Sequence, residues 1–178
     1  MAEKAEHRIH IIGGPGSGKT YLAADLSRAT GIPHIDLDGL YWNEDFSERR
    51  PPEERSGRLE DAVAGGRWIV EGAYCGDWVL PSLEVADQIV LLRVPLWVQY
   101  GRLACRNVDR LLEGTTTLRA TMNLMRWVRG FEERLDVYKQ GFGKSFASKT
   151  IELNGRSAIA EFFNAACMSG EHDSGEMK

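Results

Sequence analysis

Short apolar runs alternate with amphipathic helical stretches along most of this chain. Arg8–Ile12 (R-I-H-I-I), Ile32–Leu37, Trp68–Val70, Ala86–Pro95 and Lys149–Leu153 read as strands bounded by glycine, proline or polar residues. Between them the apolar spacing changes to the helical period. Tyr21–Ala29 reads as a helix closed by Gly31. Glu53–Ala64 carries Leu59, Ala62 and Val63 on one stripe and stops at Gly65-Gly66. Leu96–Leu112 is predicted to bury Trp97, Tyr100, Ala104, Val108 and Leu111. Leu118–Gln140 presents Leu124, Trp127, Val128, Phe131, Leu135 and Tyr138, with Gly130 as a weak point in its middle. Ser157–Cys167 turns Ile159, Phe162 and Phe163 inward. Cys75–Val85, broken by Pro81, reads as irregular or briefly helical. Strand followed by helix, five times over, predicts an α/β fold: a parallel sheet with helices on both faces.

Neither a repeat nor a second domain is evident, so residues 1–167 are expected to form a single domain, with 168–178 a disordered tail. Asn43–Pro52 and Glu113–Thr117 read as its moving parts, with a lid or hinge near residues 113–130. The 178 residues carry a net charge of −4, which argues against bulk nucleic-acid binding. Cys75, Cys105 and Cys167 lie far apart and outside any C-x-x-C pair, the pattern of free thiols in a cytoplasmic protein. Arg93 interrupts the longest apolar run, Ile89–Val98, which argues against a membrane span.

Charge and composition leave function open; one stretch narrows it. Gly13-Gly14-Pro15-Gly16-Ser17-Gly18-Lys19-Thr20 fits G-x-x-x-x-G-K-[ST], with a strand before it and a helix after it. Gly14, Gly16 and Gly18, with Pro15 and Ser17, let the backbone approach a phosphate closely, and successive N–H groups can form an anion nest. The helix beginning there adds the positive end of its dipole. Lys19 would reach the β- and γ-phosphates, and the Thr20 hydroxyl would ligate Mg²⁺.

Other candidates fall at strand ends. Asp36 and Asp38 sit at the carboxyl end of the second strand, where open parallel sheets bind ligands, and strand alternation puts both on one side. They could hold Mg²⁺ waters, orient an acceptor hydroxyl or take its proton, with Asp38 favoured on the substrate side; they could instead cap the next turn. Glu71 ends the third strand where an NTPase keeps a metal-organising carboxylate, and Gly72 would let a ligand approach the backbone. Arg55 and Arg58 share a helix face, either as a clamp for an anionic group or as a solvated surface. Arg102, Arg106 and Arg110 recur every four residues, facing either a bound triphosphate or solvent.

These stretches together resemble the adenylate-kinase-like group of P-loop kinases, in particular the small proteins labelled DNA topology modulation proteins. The resemblance rests on G-G-P-G-S-G-K-T, H-I-D-L-D-G-L-Y-W, W-I-V-E-G-A-Y, A-D-Q-I-V-L-L-x-x-P and R-L-A-C-R, in that order across Ile9–Arg110. It implies a three-layer P-loop NTPase fold with a five-stranded parallel sheet ordered 2-3-1-4-5. It also implies ATP with Mg²⁺ as phosphoryl donor, Asp38 at the acceptor side, and Arg102 and Arg106 on the donor phosphates. The Asp36-x-Asp38 pair is similar to that of small-metabolite kinases, in which one acid serves Mg²⁺ and the other the hydroxyl. Arg93 and Ala73 depart from the group, which commonly has an acid and an Asn there. The implied activity is transfer to a nucleoside monophosphate or a hydroxylated metabolite. The alternative is a regulatory ATPase acting on a protein or DNA partner.

Overall fold

The computed structural model describes residues 7–45, 47–114, 118–141 and 144–171. Five strands form one parallel sheet: β1 (His7–Gly13), β2 (His34–Asp36), β3 (Arg67–Gly72), β4 (Gln88–Arg93) and β5 (Thr150–Asn154). Their order is β2-β3-β1-β4-β5, as the resemblance implies. The strands are joined through α1 (Lys19–Thr30), α2 (Leu37–Tyr41), α3 (Pro52–Val63), α4 (Leu80–Val85), α5 (Leu96–Leu112) and α6 (Leu118–Gln140), and α7 (Gly155–Glu171) closes the chain.

Side-chain alternation divides the core into two layers. Ile9 and Ile11 of β1, Ile69 of β3, and Val90 and Leu92 of β4 pack with Leu22, Leu26, Leu153 and Phe162, beneath α1 and α7. Ile12, Trp68, Val70, Ile89 and Leu91 face the other way, onto Leu59, Val79, Leu83, Phe131 and Leu135 of α3, α4, α6 and the turn before α4. β1 is covered on both faces, so Ile9, His10, Ile11 and Ile12 are all buried.

Four expectations change. β2 stops at Asp36 because Leu37 starts α2, so strand alternation does not govern Asp38. α5 does not bury the predicted stripe: Trp97 is 76% and Val108 52% exposed, while Gln99, Leu103 and Asn107 are buried. α6 runs unbroken through Gly130. α7 starts at Gly155 and extends to Glu171, past the expected end at Cys167. Residues 115–117, within the predicted lid or hinge, and 172–178, within the predicted tail, lie outside the described residues, as does Phe46 in the loop before α3. Among the described residues no helix is long and apolar enough to cross a membrane.

One buried polar residue makes the fold sensitive to pH. His10 in β1 is fully buried, with Nδ1 3.0 Å from Ser82 Oγ. The Ser82 hydroxyl donates to the Val79 carbonyl, so the imidazole Nδ1–H donates to Ser82. Burial holds the ring neutral and pushes its pKa down from 6.5 to about 3. The unfolded chain therefore takes up this proton at a higher pH than the fold does. The His10 contribution to stability is complete above about pH 6.5 and is lost as pH falls toward 3, by ~1.4 kcal/mol per pH unit. Denaturant titrations between about pH 6.5 and 4.5 should show a shallower loss of stability for His10→Asn than for the parent chain, by about that slope. Parallel curves would contradict a neutral buried imidazole.

Candidate functional site

The carboxyl end of β1 runs straight into the glycine loop, and the loop into the first turn of α1. Gly16 (φ 76°) and Gly18 (φ 97°) take the left-handed conformation, which reverses the chain within a few residues. The space at Gly14 and Gly16 is closed. A Cβ on Gly14 would lie 2.7 Å from Gln99 Oε1, and one on Gly16 2.9 Å from the Gln99 carbonyl oxygen. Gln99 is itself fixed, its Nε2 donating to the Val94 carbonyl at 2.7 Å. Arg102 braces the same loop, its Nη1 donating to the Gly16 and Ser17 carbonyls at 2.9 and 3.0 Å. The carbonyls of Gly16 and Ser17 are thereby held on Arg102, and the Ser17 N–H donates to the Gly14 carbonyl at 3.1 Å. Gly18 caps α1 without a side-chain acceptor, so the N–H groups of the first turn are not capped from within the helix. Such a cradle, with a helix dipole behind it, suits an anion.

A cleft of about 2330 Å³ opens over the loop. A small-molecule pocket typically occupies about 300–1,000 Å³, so there is room for two ligands side by side. Pro15, Gly16, Ser17, Gly18, Lys19, Thr20, Arg102 and Arg106 line it, as do Asp36, Asp38 and Arg55.

Period-2 alternation puts Glu71 on the same face as Ile69, toward α1. It is 1% exposed, with Oε2 3.6 Å from Lys19 Nζ and Oε1 3.6 Å from His34 Nε2. Burial pushes its carboxyl above the ordinary range, the Lys19 ammonium opposing the shift. Glu71 is therefore sealed beneath Lys19 rather than standing at an open strand tip, and it does not line the cleft. In β2, register sets Asp36 beside Glu71. Asp36 Oδ1 accepts the Asp38 N–H at 2.8 Å and so caps α2. Desolvation raises its pKa, with the Asp38 N–H opposing.

Asp38, on α2, receives the Tyr74 phenol on Oδ1 at 2.5 Å. Tyr74 is held by its ring as well as its hydroxyl. It stacks on Tyr41 (centroids 4.7 Å apart), meets Trp78 edge-on at 5.2 Å, and presses on Gly72. Burial first, then the bond to Asp38, push the phenol pKa well up, so it stays a donor. Gly72 is needed for this packing: a Cβ there would lie 2.8 Å from Leu37 and 3.0 Å from Tyr74. It does not face the cleft, contrary to the expectation of ligand approach.

The two arginines of α3 part company. Arg55 stacks over Tyr41 at 4.4 Å and lines the cleft. Arg58 donates to Glu54 at 2.9 Å on the exposed face and does not line it. Arg110 is a residue whose side chain lies outside the description. The motif reading assigned no roles to Tyr41, Trp42, Tyr74, Trp78, Arg49 or Gln99. The clue was present: Tyr41-Trp42 and Tyr74 with Trp78 both follow the carboxyl ends of strands.

Together, the sheet order and the phosphate loop define the P-loop kinase fold. Three solved structures share it. The shikimate kinase from Acinetobacter baumannii in complex with shikimate is 17% identical, with a TM-score of 0.58, covering 96% of this chain and 97% of that one. A gluconokinase from Sinorhizobium meliloti 1021 is 15% identical, with a TM-score of 0.55, covering 96% and 94%. The shikimate kinase from Bacteroides thetaiotaomicron is 22% identical, with a TM-score of 0.59, covering 89% and 95%. The chain belongs to the family of the uncharacterized protein YqaC of Bacillus subtilis (strain 168), to which it is 32% identical over 124 residues, 67% of this chain and 69% of that protein. No protein-family model matches it.

The loop geometry yields a paired prediction. Gly16→Ala forces an alanine into a left-handed position against a backbone carbonyl and should lower stability by ~1–3 kcal/mol. Gly57→Ala, within α3 with nothing within 4 Å of the added methyl, should raise it by ~0.5–1 kcal/mol. Thermal or denaturant unfolding of both variants checks this; equal shifts would contradict the packed loop.

Proposed function

We propose that this protein is a phosphotransferase that moves the terminal phosphoryl group of ATP to an oxygen of a small acceptor. The observation that carries the reading is the cleft itself, which holds the glycine loop, Lys19 and Thr20 together with the carboxylates of Asp36 and Asp38. The structures that share its fold are named as small-molecule kinases, which supports the same class of reaction here.

The residues fit a magnesium-bound triphosphate: the cradle has no room for a Cβ at Gly14 or Gly16, and Thr20 and Asp36 bring oxygen donors to the cleft. Thr20 and Asp36 would hold the ion, which neutralises charge on the phosphates when bound. The loop amides and Lys19 bind the phosphate tail and stabilise charge on the transferring group. Glu71, buried beneath Lys19, keeps that ammonium at the mouth of the loop. Arg102 keeps the loop carbonyls turned away, and Arg106 adds positive charge to the cleft wall. Asp38 orients the acceptor oxygen and takes its proton, with Oδ1 already fixed by Tyr74. Positioning and charge carry most of the catalysis, because phosphoryl transfer leaves the protein little covalent work.

Substitution separates the two ends of the cleft. Lys19→Ala should lose triphosphate affinity or turnover by about tenfold or more. Asp38→Asn should bind ATP within about twofold of the parent and lose about a hundredfold in transfer. Calorimetry with an ATP analogue and an ATP-consumption assay over a panel of acceptors measure both. Normal transfer by Asp38→Asn would contradict the acceptor assignment.

A further inference from the structure

We infer, resting on the phosphoryl-transfer reading, that His34 is a positioning residue for the phosphoryl donor: it holds one oxygen of the Glu71 carboxylate, so that the other keeps the Lys19 ammonium where the phosphates bind.

Three elements meet beneath the glycine loop. Lys19 comes from the first turn of α1, Glu71 from β3 and His34 from β2. His34 pairs in register with Ile69, two residues before Glu71. Strand alternation therefore turns the imidazole and the carboxylate to the same face of the sheet. Each Glu71 oxygen meets a different partner there. Oε2 lies 3.6 Å from Lys19 Nζ, and Oε1 lies 3.6 Å from His34 Nε2.

The carboxylate depends on these two contacts. Glu71 is buried, and neither of its oxygens has a hydrogen bond among the described residues. The Thr20 hydroxyl faces it without hydrogen-bond geometry, and Asp36, beside it in register, repels it. His34 Nε2 is also buried and has no hydrogen bond among the described residues. Its N–H can be directed at an ionised carboxylate, which only accepts. Removing one partner from a buried charge leaves the other partner to offset the whole cost of its desolvation.

Orientation is what His34 adds. The last torsion of a glutamate side chain is broad, so rotamer preference does not fix the plane of the carboxylate. A donor on one oxygen does. Lys19 is a poor fixed point, because the proposed reaction shares its ammonium with the phosphates. His34 has no such second task, since it does not line the cleft. The imidazole stays on Oε1 when the ammonium turns to a ligand, and Oε2 stays aimed at the mouth of the loop.

The test uses the full chain, titrated calorimetrically with a non-hydrolysable ATP analogue and magnesium, with denaturant unfolding of each variant alongside. His34→Met keeps a side chain of similar reach and removes the N–H; His34→Gln returns an N–H near the position of Nε2. His34→Met should weaken analogue binding about fivefold, and His34→Gln should bind within about twofold of the parent. Glu71→Gln keeps the shape of the side chain and should also weaken binding about fivefold. Adding His34→Met to Glu71→Gln should then cost less than about twofold more, because both act through one contact. A histidine that only supports the edge of the sheet would shift the unfolding midpoint without this pattern in affinity. Parent-like binding by His34→Met overturns the inference, as does an equal loss in His34→Gln. Losses from His34→Met and Glu71→Gln that multiply in the double variant also overturn it, leaving nucleotide binding intact. A parent chain that ignores the analogue overturns the phosphoryl-transfer reading beneath it.

Discussion

The glycine loop after β1 depends on close contact between its backbone and α5. Gly14 and Gly16 lie against Gln99 so tightly that neither position has room for a side chain. Gln99 can serve as that wall because its own amide is tied to the Val94 carbonyl. Arg102 fastens the loop from the same helix by taking the carbonyls of Gly16 and Ser17. A loop held in this way has lost its freedom before any ligand arrives, so little ordering has to be offset when an anion binds. The cost is backbone strain at left-handed positions, which glycine alone among the residue types carries cheaply.

The same sheet end sets up opposite electrostatics within one cleft. β1 delivers the amides and Lys19, while β2 and β3 deliver acids one register step away. Glu71 is buried under Lys19, whereas Asp36, at the last position of β2, and Asp38, on α2, line the cleft. Tyr74, locked between Tyr41 and Trp78, then fixes Asp38 from the apolar side. A cationic cradle and a braced carboxylate in one cleft are the parts that the proposed transfer to an oxygen would use.

Much of the fold is legible in the residues because period-2 and helical spacing dominate wherever a face is simply apolar. The five strands fall in this class, and the loop at Gly13–Thr20 is legible from its glycine spacing. The failures come where a polar residue is buried for a structural reason. In α5 the apolar pattern points to Trp97 and Val108, yet Gln99 and Asn107 are inside, Gln99 because the loop packs on it. Gly72 reads as a ligand approach but makes room for Leu37 and Tyr74. Arg58 shares a helix face with Arg55, but local pairing with Glu54 takes it out of the cleft. The cluster of Tyr41, Tyr74 and Trp78 is built from two separated stretches, so only the folded sheet brings it together.

The central claim is that the amide cradle at the end of β1 grips a polyphosphate. Isothermal titration of the folded chain with a non-hydrolysable ATP analogue, in the presence of magnesium, tests it most directly. The account predicts saturable one-to-one binding that Lys19→Ala weakens by about tenfold or more. Heat indistinguishable from dilution for both adenine and guanine triphosphates would contradict it.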